Sequence, residues 1–395
     1  MKKTLFFCGI LLCPYLGVAQ QHRAAKDEKK ERLDSIVVSA PLIGKNTPLT
    51  YSEMTNDEMK KRPSSYSLPM IFSLQPSVVA TTEGGTGLGY SKISIRGTDA
   101  SRLNVTLNGI TLNDAESSEV FWVDIPFIQS FIKSAQIQRG VGTSTAGSAS
   151  FGGGINMLTN SPANNAYGSA EFSLGSYNTY ISSIGAGTGL TKRGFSFDAR
   201  YSHSETDGYI RNAYGKLNSL YTSLTWRNKN NLLRTNYLYG DQRTGITWEG
   251  ISLEKYYSDR RYNPSGEYYD VAGNIHYYDN ETDNYKQHYL QLFYTHRFSK
   301  HLAWNSAFNY TRGDGYYENY KAETKFSKFG LKPQVVDGIT YKKSDIIIKQ
   351  QLDNDYFAGY SGLNYVNAGL DMSAGVGYSY YGGDHWGNVI WSMYN

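Results

Sequence analysis

From Tyr167 onward, apolar and polar residues alternate with a period of two in nine segments: 168–175, 180–190, 195–202, 220–226, 233–239, 289–298, 302–311, 356–365 and 369–380. No helical period of 3.6 runs through them, so they predict strands with two chemically different faces. Most approach the ~9–11 residues that carry a tilted strand across a bilayer. Their connections are of two sorts. Residues 191–194, 228–231, 299–301 and 364–367 are tight, whereas 206–216, 243–284 and 314–350 are long. Apart from a short connection near Ser176, the two sorts alternate. An up-and-down transmembrane barrel, with short turns at one rim and long loops at the other, has this asymmetry. The 35 Tyr residues, with Trp226, Trp248 and Trp304, are expected to supply aromatic girdles at the two interfaces. A soluble β-domain with tyrosines in its core needs no such loop pattern.

Composition points the same way. Forty glycines against ten prolines suit many strands joined by tight turns. A formal net charge of +4 on 395 residues, with no basic block interleaved with aromatics, excludes a nucleic-acid partner.

The amino terminus predicts export. Lys2 and Lys3 precede a short apolar run, residues 4–12, and Gly17-Val18-Ala19 offers small residues for cleavage before Gln20. The run is too short to span a bilayer as a helix, and no later window reaches the ~18 apolar residues that a helical span needs. Both cysteines, Cys8 and Cys13, fall inside this signal, so the mature chain is expected to hold no disulfide and no thiol ligand. Leu12 disfavours lipidation at Cys13.

Residues 22–34 are charged and read as a solvated leader. An isolated β-branched patch follows: Asp34, Ser35, Ile36, Val37, Val38, Ser39 and Ala40. It suits either the first strand of the next domain or a strand donated to the sheet edge of another protein. Residues 51–77 are partly helical in pattern, with a short helix near 66–74 ended by Pro76. Strands are expected near 92–96, 103–107, 134–138 and 154–159, and Asn108-Gly109 is a two-residue hairpin signal. Residues 121–132 are expected to pack as a short connecting helix. Together these make a small domain with a mixed sheet.

Within it, Ile93-Ser-Ile-Arg-Gly-Thr98, Asn104-Val-Thr-Leu-Asn-Gly-Ile-Thr-Leu-Asn-Asp114, Ile137-Gln-Arg-Gly140 and Phe151-Gly-Gly-Gly-Ile-Asn-Met-Leu-Thr159 resemble the plug of TonB-dependent outer-membrane receptors, in order and approximate spacing. The patch at 34–40 resembles the TonB box of that family. The resemblance implies a mainly β fold: a small mixed α/β plug followed by an incomplete antiparallel transmembrane β-barrel. The expected division is a signal peptide at 1–19, a leader with the box at 20–50, the plug at 51–162 and barrel wall at 163–395.

The same resemblance implies a receptor with no covalent chemistry and no cofactor. It would bind an iron–siderophore, haem, cobalamin or similar complex, pair its box as a strand with TonB, and reside in outer-membrane lipid after insertion by the barrel-assembly machinery. Gly97, Asn108, Gly109, Gly140, Gly152, Gly153 and Gly154 fall on the plug motifs. Arg96 and Arg139, each just before glycine, are expected to latch the plug to carboxylates on the wall, where an unpartnered buried charge costs ~3–5 kcal/mol. Nine strands fall short of the ~22 of outer-membrane transporters, and an open sheet would leave edges unpaired in lipid. Residues 386–395 read as loop. The sequence is therefore expected to be an amino-terminal portion or a truncated product, not competent for transport alone.

Other chemistries fit poorly. The stretch 140–147 lacks the lysine and spacing of a phosphate loop, no G-x-S-x-G occurs, and the seven histidines show no metal-ligand spacing. In the longest loop, Tyr256, Tyr257, Arg260, Arg261, Tyr262 and His276 are candidates for ligand contact, set against an ordinary solvated loop face. A passive or adhesin-type barrel is the second functional reading; it needs neither box nor plug.

Overall fold

A computed structural model describes residues 49–141, 151–367 and 370–394. The expected export signal, nearly all of the expected leader and the patch at 34–40 lie outside them.

The first part is a layered α/β unit. Strand β1 (Tyr51–Thr55) leads directly into helix α1 (Asn56–Lys60). Thr55 closes a capping box there: its hydroxyl accepts from the backbone N–H of Glu58, whose carboxylate accepts from the N–H of Thr55. Helix α2 (Leu68–Phe72) starts with Pro69 in its first turn, where no donor is lost. Strands β2 (Val78–Thr82) and β3 (Ser91–Ile95) pair as a separate hairpin. Then come β4 (Leu103–Leu107), β5 (Ile110–Thr111), β6 (Ile132–Arg139) and β7 (Gly153–Thr159). The five-stranded sheet has the order β1-β6-β7-β4-β5, and β4 and β7 run parallel. It is mixed, as expected. Asn108 and Gly109 both take positive φ (53° and 83°), the geometry of a type I′ hairpin turn. The core holds Phe72, Ile95, Leu107, Ile137, Ile155 and Met157.

Two expectations fail here. Residues 51–55 form a strand rather than part of a helical run. Residues 121–132 form two 3-10 turns, Trp122–Asp124 and Ile128–Ser130, instead of one helix. Pro126 separates them: it lacks an N–H and bars the helical region to Ile125, and Phe127 then turns at φ 60°.

The second part is an antiparallel meander. Its strands are β8 (Tyr167–Gly175), β9 (Thr179–Gly187), β10 (Phe195–Thr206), β11 (Gly215–Arg227) and β12 (Asn231–Gly245). Helix α3 (Leu253–Ser258) and the hairpin β13 (Glu267–Tyr269) to β14 (Ile275–Tyr277) occupy the next loop. Strands β15 (Thr282–Arg297) and β16 (Leu302–Lys325) follow, then the hairpin β17 (Gln334–Val336) to β18 (Ile339–Tyr341). Last come β19 (Lys343–Asn367) and β20 (Leu370–Ser392). Among the described residues, β8 through β12, β15, β16, β19 and β20 form one nine-stranded sheet in chain order, open at both edges.

Its strands are far longer than the alternating apolar segments suggested: β16, β19 and β20 run 24, 25 and 23 residues. Beyond the apolar band the ladder continues through polar cross-strand pairs, such as Arg312 between Asp353 (2.6 Å) and Asp355 (2.9 Å). Much of the supposed loop at 314–350 is strand, and so are residues 386–392, which pair with β19.

The two faces of this wall are inverted relative to a soluble sheet. On β15, Leu290 and Leu292 are each 39% exposed while Gln291 between them is 0% exposed. Ser219, Ser223, Thr225, Asn236, Asn305 and Asn309 are buried, whereas Phe172, Leu224, Phe308 and Phe357 face outward. Polar-in, apolar-out alternation is the signature of a strand between lipid and a filled lumen. The short-turn rim carries Phe195 against Trp226 (6.4 Å) and Tyr294 against Trp304 (5.5 Å), in keeping with a girdle. Trp248 is not part of it.

Candidate functional site

The small sheet packs against the polar inner face of the wall. Phe131 stacks on Tyr221 of β11 at 4.4 Å and 4°. Tyr221, Leu238 and Tyr289 of the wall belong to the same apolar core as the sheet's own residues. Asn108, at the hairpin tip, accepts from the N–H and hydroxyl of Thr159 (both 3.0 Å) and donates to Gln291 Oε1 of β15 (3.2 Å). At the short-turn end, Arg234 of β12 donates to the carbonyl of Asn160.

Toward the long-loop end the two parts diverge around a cavity of about 720 Å³. One wall of it is the loop after β5. Asn113 folds that loop back, donating to Leu103 O (2.8 Å) and Ser118 O (2.7 Å) while accepting from Val105 N (2.8 Å). The 3-10 turn Trp122–Asp124 then presses its backbone on β12, where Gly240 leaves no side chain in the way. Asp124 is 6% exposed, lines the cavity, and its Oδ1 has no hydrogen-bond partner. Tyr90, just before β3, donates its hydroxyl to Asp283 Oδ2 of β15, which also accepts from Gln242 Nε2 (2.6 Å). The Tyr90 ring meets Trp248 edge-on at 5.6 Å, and Trp248 meets Tyr317 at 5.8 Å.

The cavity is acidic. Six carboxylate residues line it, Glu83, Asp114, Glu116, Glu119, Asp124 and Asp283, against Lys92, Lys321 and His385. His385 is paired with Glu116 at 2.8 Å and Lys321 with Glu249 at 3.3 Å. Burial pushes the Asp124 carboxyl well above the usual carboxylate range, and the charges of Asp283 and Asp114 push it further. Burial also raises Glu83, opposed by Lys92. Glu116 is lowered, chiefly by the hydrogen bond from His385. Burial lifts the Tyr90 phenol well up, helped by Asp283.

A family model described as TonB-dependent Receptor Plug Domain matches residues 44–154. The whole fold is similar to the ferric citrate transporter FecA in its unliganded form: TM-score 0.62, 15% identity, covering 86% of this chain and 49% of that one. It is similar in the same degree to the open form of the ferric-catecholate import receptor Fiu from E. coli K12, with TM-score 0.62, 15% identity and coverage of 87% and 51%. A copper transporter, OprC, gives TM-score 0.61 at 14% identity, covering 85% and 47%. The chain has the plug-and-wall fold of the TonB-dependent receptors. It spans about half the length of the structures it matches.

Within this receptor fold the expected motif glycines are structural. Gly97, Gly109 and Gly140 take positive φ (72°, 83° and 94°). Gly152 abuts Thr98, and a Cβ on Gly153 would sit 2.5 Å from Gln138 O, so β7 enters the plug sheet only as glycine. Asn108 is a plug–wall anchor, a role its hairpin signal did not reveal.

Both arginines make contacts within the plug. Arg139 donates to Ser52 Oγ on the neighbouring plug strand (2.6 Å), and Arg96 is an exposed residue at φ 53° whose guanidinium lies beside Gly140. Among the described residues neither forms an ion pair with a wall carboxylate. Side-chain contacts that do join plug to wall include Tyr90–Asp283, Asn108–Gln291, Glu116–His385, Arg234–Asn160 and Ser64–Ser173.

None of the six loop candidates lines the cavity. They build the loop instead. Arg260 lies over Tyr256 (5.2 Å), and Arg261 donates to Tyr209 O (2.8 Å). Tyr262 donates to Glu267 (2.8 Å), and Tyr257 meets Tyr256 edge-on (5.3 Å). His276 pairs with Asp270 (3.0 Å), whose carboxyl is lowered first by the hydrogen bonds from Asn274 and His276. The cavity residues come from three distant stretches, around 83–92, 111–124 and 248–385, and no local motif marks them.

Proposed function

We propose that the chain works as an outer-membrane receptor that takes up a scarce small molecule using energy delivered through TonB. The observation that carries this reading is the cavity, large enough for a drug-sized ligand, floored by plug segments and walled by barrel strands at the long-loop end. In an up-and-down barrel of this kind the long loops face outside. A ligand arriving there meets plug and wall together, so its binding is sensed by the part that has to move. The patch at 34–40 serves as the TonB box, its β-branched strand adding to an edge of the partner. Binding and gating are assigned to the chain; catalysis is not. Iron chelates, haem and cobalamin are the expected class of cargo, in line with the ferric citrate and ferric-catecholate receptors of similar fold. A passive or adhesin barrel has no use for a plug that fills the wall's inner face.

Deleting residues 35–40 in the full-length receptor tests this. Uptake should be lost while ligand binding at the surface persists. Undiminished uptake would refute coupling through the box.

A further inference from the structure

The cavity holds a second message, about the charge of what it takes. Glu116 is paired with His385, Lys321 is drawn off by Glu249 and Lys92 acts on Glu83, which leaves Asp114, Glu119, Asp124 and Asp283 without a basic partner in the cavity among the described residues. Two of the six lining acids carry an oxygen with no hydrogen-bond partner: Asp124 Oδ1, on a residue 6% exposed, and Glu83 Oε2. A buried carboxylate oxygen without a donor costs free energy that a ligand's N–H recovers. The same cavity is lined by rings, Tyr90, Trp248 and Tyr317, in an edge-on chain. Aromatic faces and carboxylates attract the same partner, an organic cation, and the two effects reinforce each other where water is thinned out.

We infer that the ligand presents an organic cationic group, an ammonium or guanidinium, which donates to Asp124 and is covered by the Trp248 ring. A compact anion with no cationic arm is repelled by the same lining. This inference rests on the reading of the cavity as a ligand site and narrows that ligand's chemistry. It also gives Asp124 a purpose: burial and its acidic neighbours disfavour its charged form, and an arriving cation offsets that penalty.

The test is calorimetric titration of the full-length receptor in detergent with three probes: spermine as cation, citrate as anion and sucrose as neutral solute. Spermine should bind saturably and the other two should not. Asp124→Asn, which keeps shape and removes charge, should weaken spermine about tenfold or more. Trp248→Leu should weaken it independently, which covers the case of a misfolded Asp124 variant. Asp337→Asn, on the outer hairpin between β17 and β18, should bind as the parent does. Citrate binding at least as tightly as spermine overturns the inference, as does spermine binding unchanged in both cavity variants. These measurements need no energised partner. An anion-selective cavity therefore sinks this inference alone, whereas uptake that survives loss of residues 35–40 sinks the coupling and leaves binding untouched.

Discussion

Gly240 shows how closely the plug is fitted to the wall, and replacing it by alanine sets two effects against each other. It lies on β12, paired with Ser219 of β11 and Gln287 of β15. In a strand, glycine costs roughly 0.5–1 kcal/mol of backbone entropy, so alanine there is ordinarily an improvement. Here the added methyl would collide with the carbonyl oxygen of Asp124 and sit 3.0 Å from Pro126 Cδ. The first obstacle is backbone, which cannot swing aside, and overpacking of this kind costs about 1–3 kcal/mol. The clash wins, and the net loss for Gly240→Ala is roughly 1–2 kcal/mol. Gly377→Ala on β20 is the control, because its nearest neighbours are Gly359 O at 3.6 Å and Tyr360 Cδ2 at 3.8 Å, ordinary contact. It should be neutral or stabilising by less than ~1 kcal/mol. Urea midpoints followed by tryptophan fluorescence, with limited proteolysis to report plug release, separate the two variants. Equal midpoints for both would refute the claim that the Trp122–Asp124 turn is seated on bare β12 backbone.

Two further outcomes follow from the same contacts. Phe131→Ala and Tyr221→Ala, taken singly and together, should show a coupling of about 0.5–1.5 kcal/mol in urea titrations, the worth of a stacked ring pair; strictly additive losses would mean the rings do not join plug to wall. Asp124 binds a proton more readily in the native state than unfolded, so its contribution to stability falls as pH rises from ~4 through the raised native value. Asp124→Asn should therefore melt like the parent at pH 4 and above it at pH 8, and a difference that does not change between those two pH values contradicts the buried, proton-holding carboxyl.

Much of this architecture was legible in the sequence, and the physical reasons divide what was from what was not. Period-two alternation marked all nine wall strands because each has one apolar outer face and one polar inner face. It underestimated their length, since above the apolar band the ladder is held by polar pairs such as Arg312 with Asp353 and Asp355, which look like loop. Asn108-Gly109 announced its turn through backbone preference alone, but not that the same asparagine reaches Gln291. Residues 121–132 looked helical by apolar content, and Pro126 decided otherwise. The site was nearly invisible. Asp124, Glu83, Tyr90, Trp248 and Asp283 are spread over some two hundred positions and meet only when the plug docks, so spacing carries no trace of them. Aromatic and basic residues clustered in the longest loop drew attention instead, and they turn out to hold that loop together.

The central claim is that the plug is a gate that must move against the wall. Ser64, in the plug, donates to Ser173 Oγ on β8 at 2.8 Å, close enough for a disulfide after a small adjustment if both become cysteine. Within this sequence the two cysteines, Cys8 and Cys13, both lie in the proposed export signal. In full-length Ser64→Cys/Ser173→Cys receptor, ligand uptake measured before and after reduction tests the claim most directly. The account predicts normal binding but no uptake while the bond is closed, and uptake restored on reduction. Uptake at the parental rate with the bond shown to be closed would contradict it.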